Sequence, residues 1–371
     1  MITKSISPSL YGPSELTARL TNLAHGLGFK EQSAKMISIF KELTNPYFNI
    51  SLAQIKNQNS VFANDGSPLE FSVAVCDDKP ELRFSMEVIE GDSSISGKRL
   101  SAILFTEKLK KLYHLDLEKF NLIKDIFLPE KIQGKFAMFH SVCFSLDGPP
   151  SFKLYLNARA AERDALSAIQ LGLERLGYQS NDVLKEILKR GEPLDQVVYF
   201  SLDIDTRSDS RVKVYCYHKN ATLQDITRIS KTAKTFVADE QENFVQHMTG
   251  GMEIFSKWNL ISCTAFTEQD ESAPQTITTY VPMFAYAHDD DEAYHRIIKY
   301  LTNQNLSPTL YRNMIDCYKN RELSAGVGMQ NWISLQRRSD NKMRWTVYLA
   351  AELLKVFRPG EIPSVLIHSN N

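Results

Sequence analysis

Five pairs of alternating apolar and polar runs, each pair joined by a polar segment, recur along the chain with helical sequence between them. The pairs are LEFSVAV and LRFSMEV, FHSVCFSL and FKLYLN, VVYFSLDI and SRVKVYCY, LISCTAFTE and TITTYVPMF, MQNWISLQ and MRWTVYLA. They begin near residues 69, 139, 197, 260 and 329, so successive starts lie 70, 58, 63 and 69 residues apart. A near-constant period of this kind marks an internal structural repeat, here a β-hairpin followed by helix. Five hairpins supply ten antiparallel strands, and closing them on themselves removes the edges that a long open sheet would carry. The expected class is α+β: a ten-stranded antiparallel β-barrel surrounded by a ring of α-helices.

Helical spacing of apolar residues marks Leu16–Leu27, Ser33–Leu43, Leu100–Tyr113, Ala160–Leu176, Asp182–Leu188, Leu223–Phe236, Glu240–Trp258, Glu292–Leu301 and Pro308–Tyr318. Asn181 is the expected N-cap of the fifth of these, and Asn220 or Thr222 that of the sixth. No Gly/Ser/Pro-rich linker divides the chain, so residues 1–371 read as one domain, the helices within 1–65 packing outside the barrel. The 43 Lys+Arg against 44 Asp+Glu give no global reason to expect nucleic acid as a partner. No apolar run approaches the ~18–20 residues of a membrane span. MITKSISPSLYGPSEL lacks the pattern of a secretion signal, and VLIHSNN carries no lipidation motif. The five cysteines are odd in number and widely spaced, which argues against a disulfide framework or a structural zinc site. These features predict a soluble cytoplasmic protein.

Strand side chains alternate faces, so parity sorts each hairpin into two sets. One set is apolar and should face the helices: Phe71, Val73, Phe84, Val142, Phe144, Phe152, Leu154, Val198, Phe200, Leu202, Val212, Val214, Ile333, Leu335 and Val347 among others. The opposite set holds Glu70, Arg83, Lys153, Tyr155, Tyr199, Arg211, Lys213, Tyr215, Tyr217, Tyr280, Trp332, Gln336, Arg338, Arg344 and Tyr348. A solvated face mixes Ser, Thr, Glu and Lys with few rings; here cations alternate with aromatics in several hairpins on the same parity. That recurrence places this face inside the barrel, where ten strands leave room for a ligand.

Clustered Arg and Lys in a recess call for a multiply charged anion, most simply a diphosphate. Neither GxxxxGK[ST] nor GxGxxG is present, which removes the strongest support for nucleotide binding. Aromatic faces attract cations. A polyanion beside an aromatic cage suits an allylic diphosphate that ionises: the cations hold the departing diphosphate, and the rings stabilise the carbocation and exclude water. An electron-rich aromatic acceptor then attacks, and Glu70 is placed to accept its N–H.

The segments SPLEFSVAV…ELRFSMEV, CFSLDGPPSFKLYLN, SRVKVYCY, TTYVPMF and NWISLQRR…MRWTVYLAAE together resemble dimethylallyltryptophan synthase-type aromatic prenyltransferases, from about residue 65 to the C-terminus. The length resembles that of the shorter bacterial members. The resemblance implies the ABBA barrel and an enzyme that transfers a dimethylallyl or longer allylic group from its diphosphate to the indole of tryptophan or a tryptophan-derived molecule. It implies no required metal or cofactor, with the allylic diphosphate as co-substrate, and a monomer or homodimer. It further implies that Glu70 binds the indole, and that Arg83, Lys153, Arg211, Lys213 and Arg338 hold the diphosphate. Tyr155, Tyr215, Tyr280 and Tyr348 would form the tyrosine shield, and Trp332 stands where the family often has another Tyr. Tyr199, Tyr217, Thr278, Gln336 and Arg344 are further pocket candidates.

Two positions depart from the family pattern. Asp147 stands where fungal relatives often carry a Lys, which makes it the expected catalytic partner of Glu70 and leaves open which group removes the arenium proton. Thr278 replaces a Gln two residues before Tyr280. The alternatives are a phenol or quinone acceptor on the same fold, which Glu70 disfavours, and a non-catalytic barrel for an anionic hydrophobic ligand. HDDDEAYH (His288 to His295) is not DDxxD, because Glu292 and Ala293 occupy the fourth and fifth positions, and it reads as a capped helix start. His140 reads as a core histidine. Cys143 has inward parity and reads as a small wall residue.

Overall fold

The computed structural model describes residues 13–48, 50–88, 90–178, 181–204, 210–267 and 273–363. Its strands are β1 (Leu69–Cys76), β2 (Lys79–Glu87), β3 (Met138–Ser145), β4 (Ser151–Asn157), β5 (Asp195–Asp203), β6 (Val212–His218), β7 (Ala221–Thr222), β8 (Ile254–Phe255), β9 (Leu260–Phe266), β10 (Thr276–Pro282), β11 (Gln330–Arg337) and β12 (Met343–Ala350). Its helices are α1 (Pro13–Gly26), α2 (Ser33–Phe48), α3 (Leu52–Asn57), α4 (Ile95–Tyr113), α5 (Glu118–Phe127), α6 (Ala165–Arg175), α7 (Asn181–Ile187), α8 (Leu223–Ser230), α9 (Glu240–Thr249), α10 (Met283–Tyr286), α11 (Asp290–Asn303) and α12 (Thr309–Tyr318). The five expected hairpins are present and close into one barrel in the order β1-β12-β11-β10-β9-β6-β5-β4-β3-β2, every neighbour antiparallel. Each of the ten barrel strands finds two partners, so among the described residues the barrel has no open edge.

Antiparallel alternation puts all the hairpin connections at one end of the barrel and all the helical connections at the other. The apolar parity faces outward into the helix coat: Phe40 of α2 packs edge-on to Phe84 at 5.1 Å, Tyr113 of α4 lies 4.7 Å from Phe152, and Phe127 of α5 stacks on Phe200 at 4.8 Å. Gly172 on α6 lets that helix approach: an added Cβ would sit 2.9 Å from the Phe127 ring.

Helices α6 and α9 are shorter than their periodicity suggests, each for a local reason, and α8 starts where expected. Asp164 caps α6 by accepting from the Leu166 and Ser167 amides, so the helix begins at Ala165. Thr222, not Asn220, caps α8 in a capping box with Asp225. Gly250 and Gly251, at φ of 73° and 82°, close α9, and the chain beyond forms β8, paired with β7. Helix α5 is additional to those expected, and its Phe120, Ile123 and Phe127 keep helical spacing. The Asn181 side chain, the polar turn between β5 and β6, the start of the chain before residue 13 and the segment after 363 lie outside the described residues.

Candidate active site

Charged side chains gather toward the hairpin end of the barrel interior. Arg344 on β12 donates to both carboxylate oxygens of Glu81 on β2 from Nη1 and Nη2, the first at 2.9 Å. Lys153 on β4 lies 3.3 Å from Asp203 on β5, whose other oxygen accepts from Arg211 Nε at 3.0 Å. Arg83 is buried beside them, and Lys213 follows on β6. Gln336 donates to Thr276 Oγ1 at 2.7 Å, and Thr278 lies across from it on β10. Burial, then crowding by Arg211 and Lys153, holds the Lys213 ammonium well below its ordinary range. Burial opposes ionisation of Asp203, but Lys153, Arg211 and Lys213 outweigh it and hold the carboxyl well below the usual range. Glu81 is held down in the same sense, by Arg344, Arg83 and Lys153 against its burial. Cations outnumber carboxylates here, so the layer has charge left for an anion.

The rings come next along the axis. Centroids run Tyr199–Tyr215 at 6.0 Å, Tyr155–Tyr215 at 5.8 Å, Tyr215–Tyr280 at 6.1 Å and Tyr280–Tyr348 at 5.7 Å. Burial pushes the phenols upward, Tyr199 to about 12 and Tyr215, Tyr217 and Tyr280 well above their ordinary value. They stay neutral and present π faces that favour a cation.

At the helical end the chamber is walled by Glu70, Trp332, Phe62, Asn64, Phe139, Trp258 and Asn331. With the tyrosine rings these residues surround about 900 Å³ of atom-free space, the open solvent at its mouth included. Burial pushes Glu70 up to about 7, while a hydrogen bond from Asn331 pulls it down and Asp65 pushes it up.

The structure thus brings Glu70, Arg83, Lys153, Tyr155, Tyr199, Arg211, Lys213, Tyr215, Tyr217, Thr278, Tyr280, Trp332, Gln336, Arg344 and Tyr348 onto one interior surface. Asp147 is not among them. It lies past the end of β3 on the hairpin turn, its side chain 87% exposed and 3.8 Å from Lys79. The Ser145 hydroxyl donates to its carbonyl within the same turn. Arg338 stays at the rim, 40% exposed and 3.4 Å from Asp340, because β11 ends one residue before it. Val198, expected against the helices, sits among the interior rings: a register shift between Val197 and Tyr199 inserts one extra residue in β5.

Parity could have found Glu81, two residues before Arg83, and Asp203, two after Ser201 and four after Tyr199. It could not have found Asn331, whose position alternates with Trp332 and which a second register shift, between Gln330 and Trp332, turns inward. Phe62, Asn64 and Trp258 come from loops, where no period operates.

The rival motifs have structural partners. Asp289 caps α11, accepting from the Glu292 amide at 2.8 Å. Asp290 accepts from the Met329 and Gln330 amides at 3.1 and 2.9 Å and thereby fixes the start of β11. His140 is buried, bonds Thr106 Oγ1 at 2.8 Å, and is pushed down to about 3 by burial, as a core histidine. Cys143 lies 3.3 Å from a Glu81 oxygen on the inner face. Among the described residues no group of His, Cys, Asp and Glu is arranged to hold a metal ion, and no helix is long and apolar enough to cross a membrane.

A closed ten-stranded barrel coated by helices, with cations, neutral rings and a carboxylate in succession along its interior, is the architecture of ABBA-type aromatic prenyltransferases. The family model for tryptophan dimethylallyltransferase matches residues 18–313, and the chain belongs to that family of prenyl-transferring enzymes. The structure is similar to a 6-dimethylallyl tryptophan synthase at 26% identity and a TM-score of 0.86, over 94% of this chain and 99% of that one. It is similar over the same shares, at 26% identity and a TM-score of 0.85, to 6-dimethylallyltryptophan synthase from Micromonospora olivasterospora, solved with DMASPP and Trp. The 5-dimethylallyl tryptophan synthase of Streptomyces coelicolor, also solved with DMASPP and Trp, shares the fold at 22% identity and a TM-score of 0.83, over 95% and 98% of the two chains.

Proposed function

We propose that this enzyme transfers a dimethylallyl or longer allylic group from its diphosphate to the indole ring of tryptophan or a tryptophan-derived small molecule, by Friedel–Crafts alkylation. The observation that carries the reading is the order of groups along the chamber: a surplus of cations, then neutral tyrosine rings, then a carboxylate among aromatic walls. The bond between the allylic carbon and the diphosphate oxygen breaks with its electron pair leaving on the diphosphate, where Arg83, Lys153, Arg211, Lys213 and Arg344 take up the charge. Tyr155, Tyr215, Tyr280 and Tyr348 face the allylic cation, with Trp332 beside them, and keep water from capturing it. The indole carbon attacks, and Glu70 accepts the indole N–H, raising the electron density of the ring. Loss of the ring proton restores aromaticity and yields prenylated indole, diphosphate and a proton. Asp147, on its exposed turn, takes no part in this reading, and Arg338 remains at the entrance.

The side-chain cations perform the charge neutralisation that a metal ion performs elsewhere. The test is incubation with dimethylallyl diphosphate and a panel of indole, phenol and naphthoquinone acceptors in the presence of a chelator, read by mass spectrometry. A product 68 mass units heavier than the indole acceptor, about the mass of one C5H8 unit, is the expected result by the atom balance of the alkylation. Transfer to phenols alone, or binding without transfer, would reject the indole reading.

A further inference from the structure

Beyond Glu70 itself, the helical end of the chamber holds a chain of two amides. Asn331 Nδ2 donates to Glu70 Oε1 at 2.6 Å, and Asn64 Nδ2 donates to Asn331 Oδ1 at 2.9 Å. Both amides line the chamber. Neither is there by strand parity. Asn331 is turned inward by the bulge at the start of β11, a device that re-aims side chains next to active sites. That bulge is held on its N-terminal side: Asp290 accepts from the amides of Met329 and Gln330, the Gln330 side chain donates to the Asp290 carbonyl at 2.6 Å, and Tyr311 bonds Gln330. Asn64 stands on a turn closed by Gly66 N to Ala63 O at 2.9 Å and Ala63 N to Ser67 O at 3.2 Å, with Gly66 at φ +83°. Asp65 on the same turn accepts from the Ser67 amide at 3.1 Å.

We propose that Asn331 is a positioning residue for the acceptor: it grips one oxygen of Glu70 so that the other is presented to the indole N–H, and Asn64 fixes the orientation of the Asn331 amide. The proposal rests on the reading of Glu70 as the indole-binding carboxylate. Glu70 Oε2 makes no hydrogen bond among the described residues, so it is the oxygen left for a ligand. A carboxylate oxygen accepts from Asn331 only through the amide nitrogen, and the Asn64 donor favours that orientation of the amide. The titratable groups facing Glu70 are Asp65 from the loop before β1, Tyr199 on β5 and Tyr318 on α12; across the ladder stand the uncharged Ser85 and Ala350. Asn331 therefore has a second effect: its donation opposes burial and Asp65, and keeps Glu70 ionised to lower pH than the site otherwise allows.

The test compares the pH profile of kcat/KM for an indole acceptor, and for its N-methylated counterpart, in the wild-type enzyme and Asn331→Ala. With the N–H acceptor, Asn331→Ala is expected to lower kcat/KM about tenfold at neutral pH. Its acid limb should move up by about one pH unit, with the KM for the allylic diphosphate unchanged. With the N-methyl acceptor, which has no proton to donate, the penalty should shrink to about twofold or less. An unmoved acid limb, or an equal penalty with both acceptors, overturns the proposal and leaves Asn331 a structural residue. Should Asn331→Ala fail to fold, Asn331→Ser decides by the same two outcomes. Glu70→Gln, measured alongside, separates the levels. Retained indole turnover in that variant rejects the reading of Glu70 itself; lost turnover with unmoved Asn331 variants rejects this inference alone.

Discussion

Glu70 is a carboxylate kept where ionisation is unfavourable. Burial sets its pKa to about 7, against an ordinary value of 4.5, even with the Asn331 hydrogen bond in place. Acceptance of an indole N–H needs the ionised form, so kcat/KM for the acceptor should rise with pH through about 7, and Glu70→Gln should lose that limb and about two to three orders of magnitude of turnover. The stability sign is the reverse of the activity sign. A carboxyl raised on folding contributes stability that is full below 4.5 and is lost as pH rises through about 7. Glu70→Gln should therefore melt at a higher temperature than wild type at pH 8, with the gap closing at pH 4 to 5; an equal gap at both pH values would show that burial does not set this group. Glu70 was legible from parity alone, as were the alternating cations and rings. Its partner Asn331 was not, because its place in the alternation points it at the helices.

At the scale of elements, helices pack on the outward face of the barrel, as Phe40 does on Phe84, Tyr113 on Phe152 and Phe127 on Phe200. The contact of α5 and α6 over β5 depends on Gly172, since any side chain there meets the Phe127 ring, which itself stacks on Phe200. Gly172→Val should destabilise the fold by about 1–3 kcal/mol, read as a lower midpoint in chemical denaturation, through overpacking rather than any change in the chamber. The outer face also holds an arrangement with a catalytic appearance: His218 bonds Asp195 Oδ1 and Ser262 Oγ, each at 2.7 Å. All three are buried beneath the helices on the outward parity, and none lines the chamber. They tie β5, β6 and β9 together. The aspartate-rich run at the start of α11 is likewise structural: Asp289 caps the helix, and Asp290 holds the start of β11 through the Met329 and Gln330 amides and the Gln330 side chain.

Across the whole molecule, the barrel separates charge along its axis, with the cation layer toward the hairpin turns and Glu70 near the helical connections. Before substrate arrives, Glu81 and Asp203 supply part of the counter-charge. Both are held well below the carboxylate range in the folded state. Their contribution is complete above the unfolded value of about 4 and is lost as pH falls below it, so acid unfolding should be steep in that window. Asp203→Asn leaves Lys153 and Arg211 crowded without it. That variant should lose stability at neutral pH and show a shallower acid transition. Inorganic diphosphate should raise its melting temperature more than it raises that of wild type, because it restores the missing negative charge. Equal shifts in the two proteins would place the diphosphate elsewhere.

The hairpin count, their period and the polar parity of the inner face are local properties of the chain, and they led directly to a ten-stranded barrel with cations and rings inside. Three things depended on pairing between distant segments. The bulges at Val198 and Asn331 reversed the expected facing of those residues; the ends of β3 and β11 left Asp147 and Arg338 outside the recess; loops far apart in sequence delivered Phe62, Asn64 and Trp258 to the chamber wall. A period of two follows from the geometry of one extended strand, whereas a bulge, a strand's end and a loop's resting place are set by what the neighbouring segment offers, which is settled only when the barrel closes.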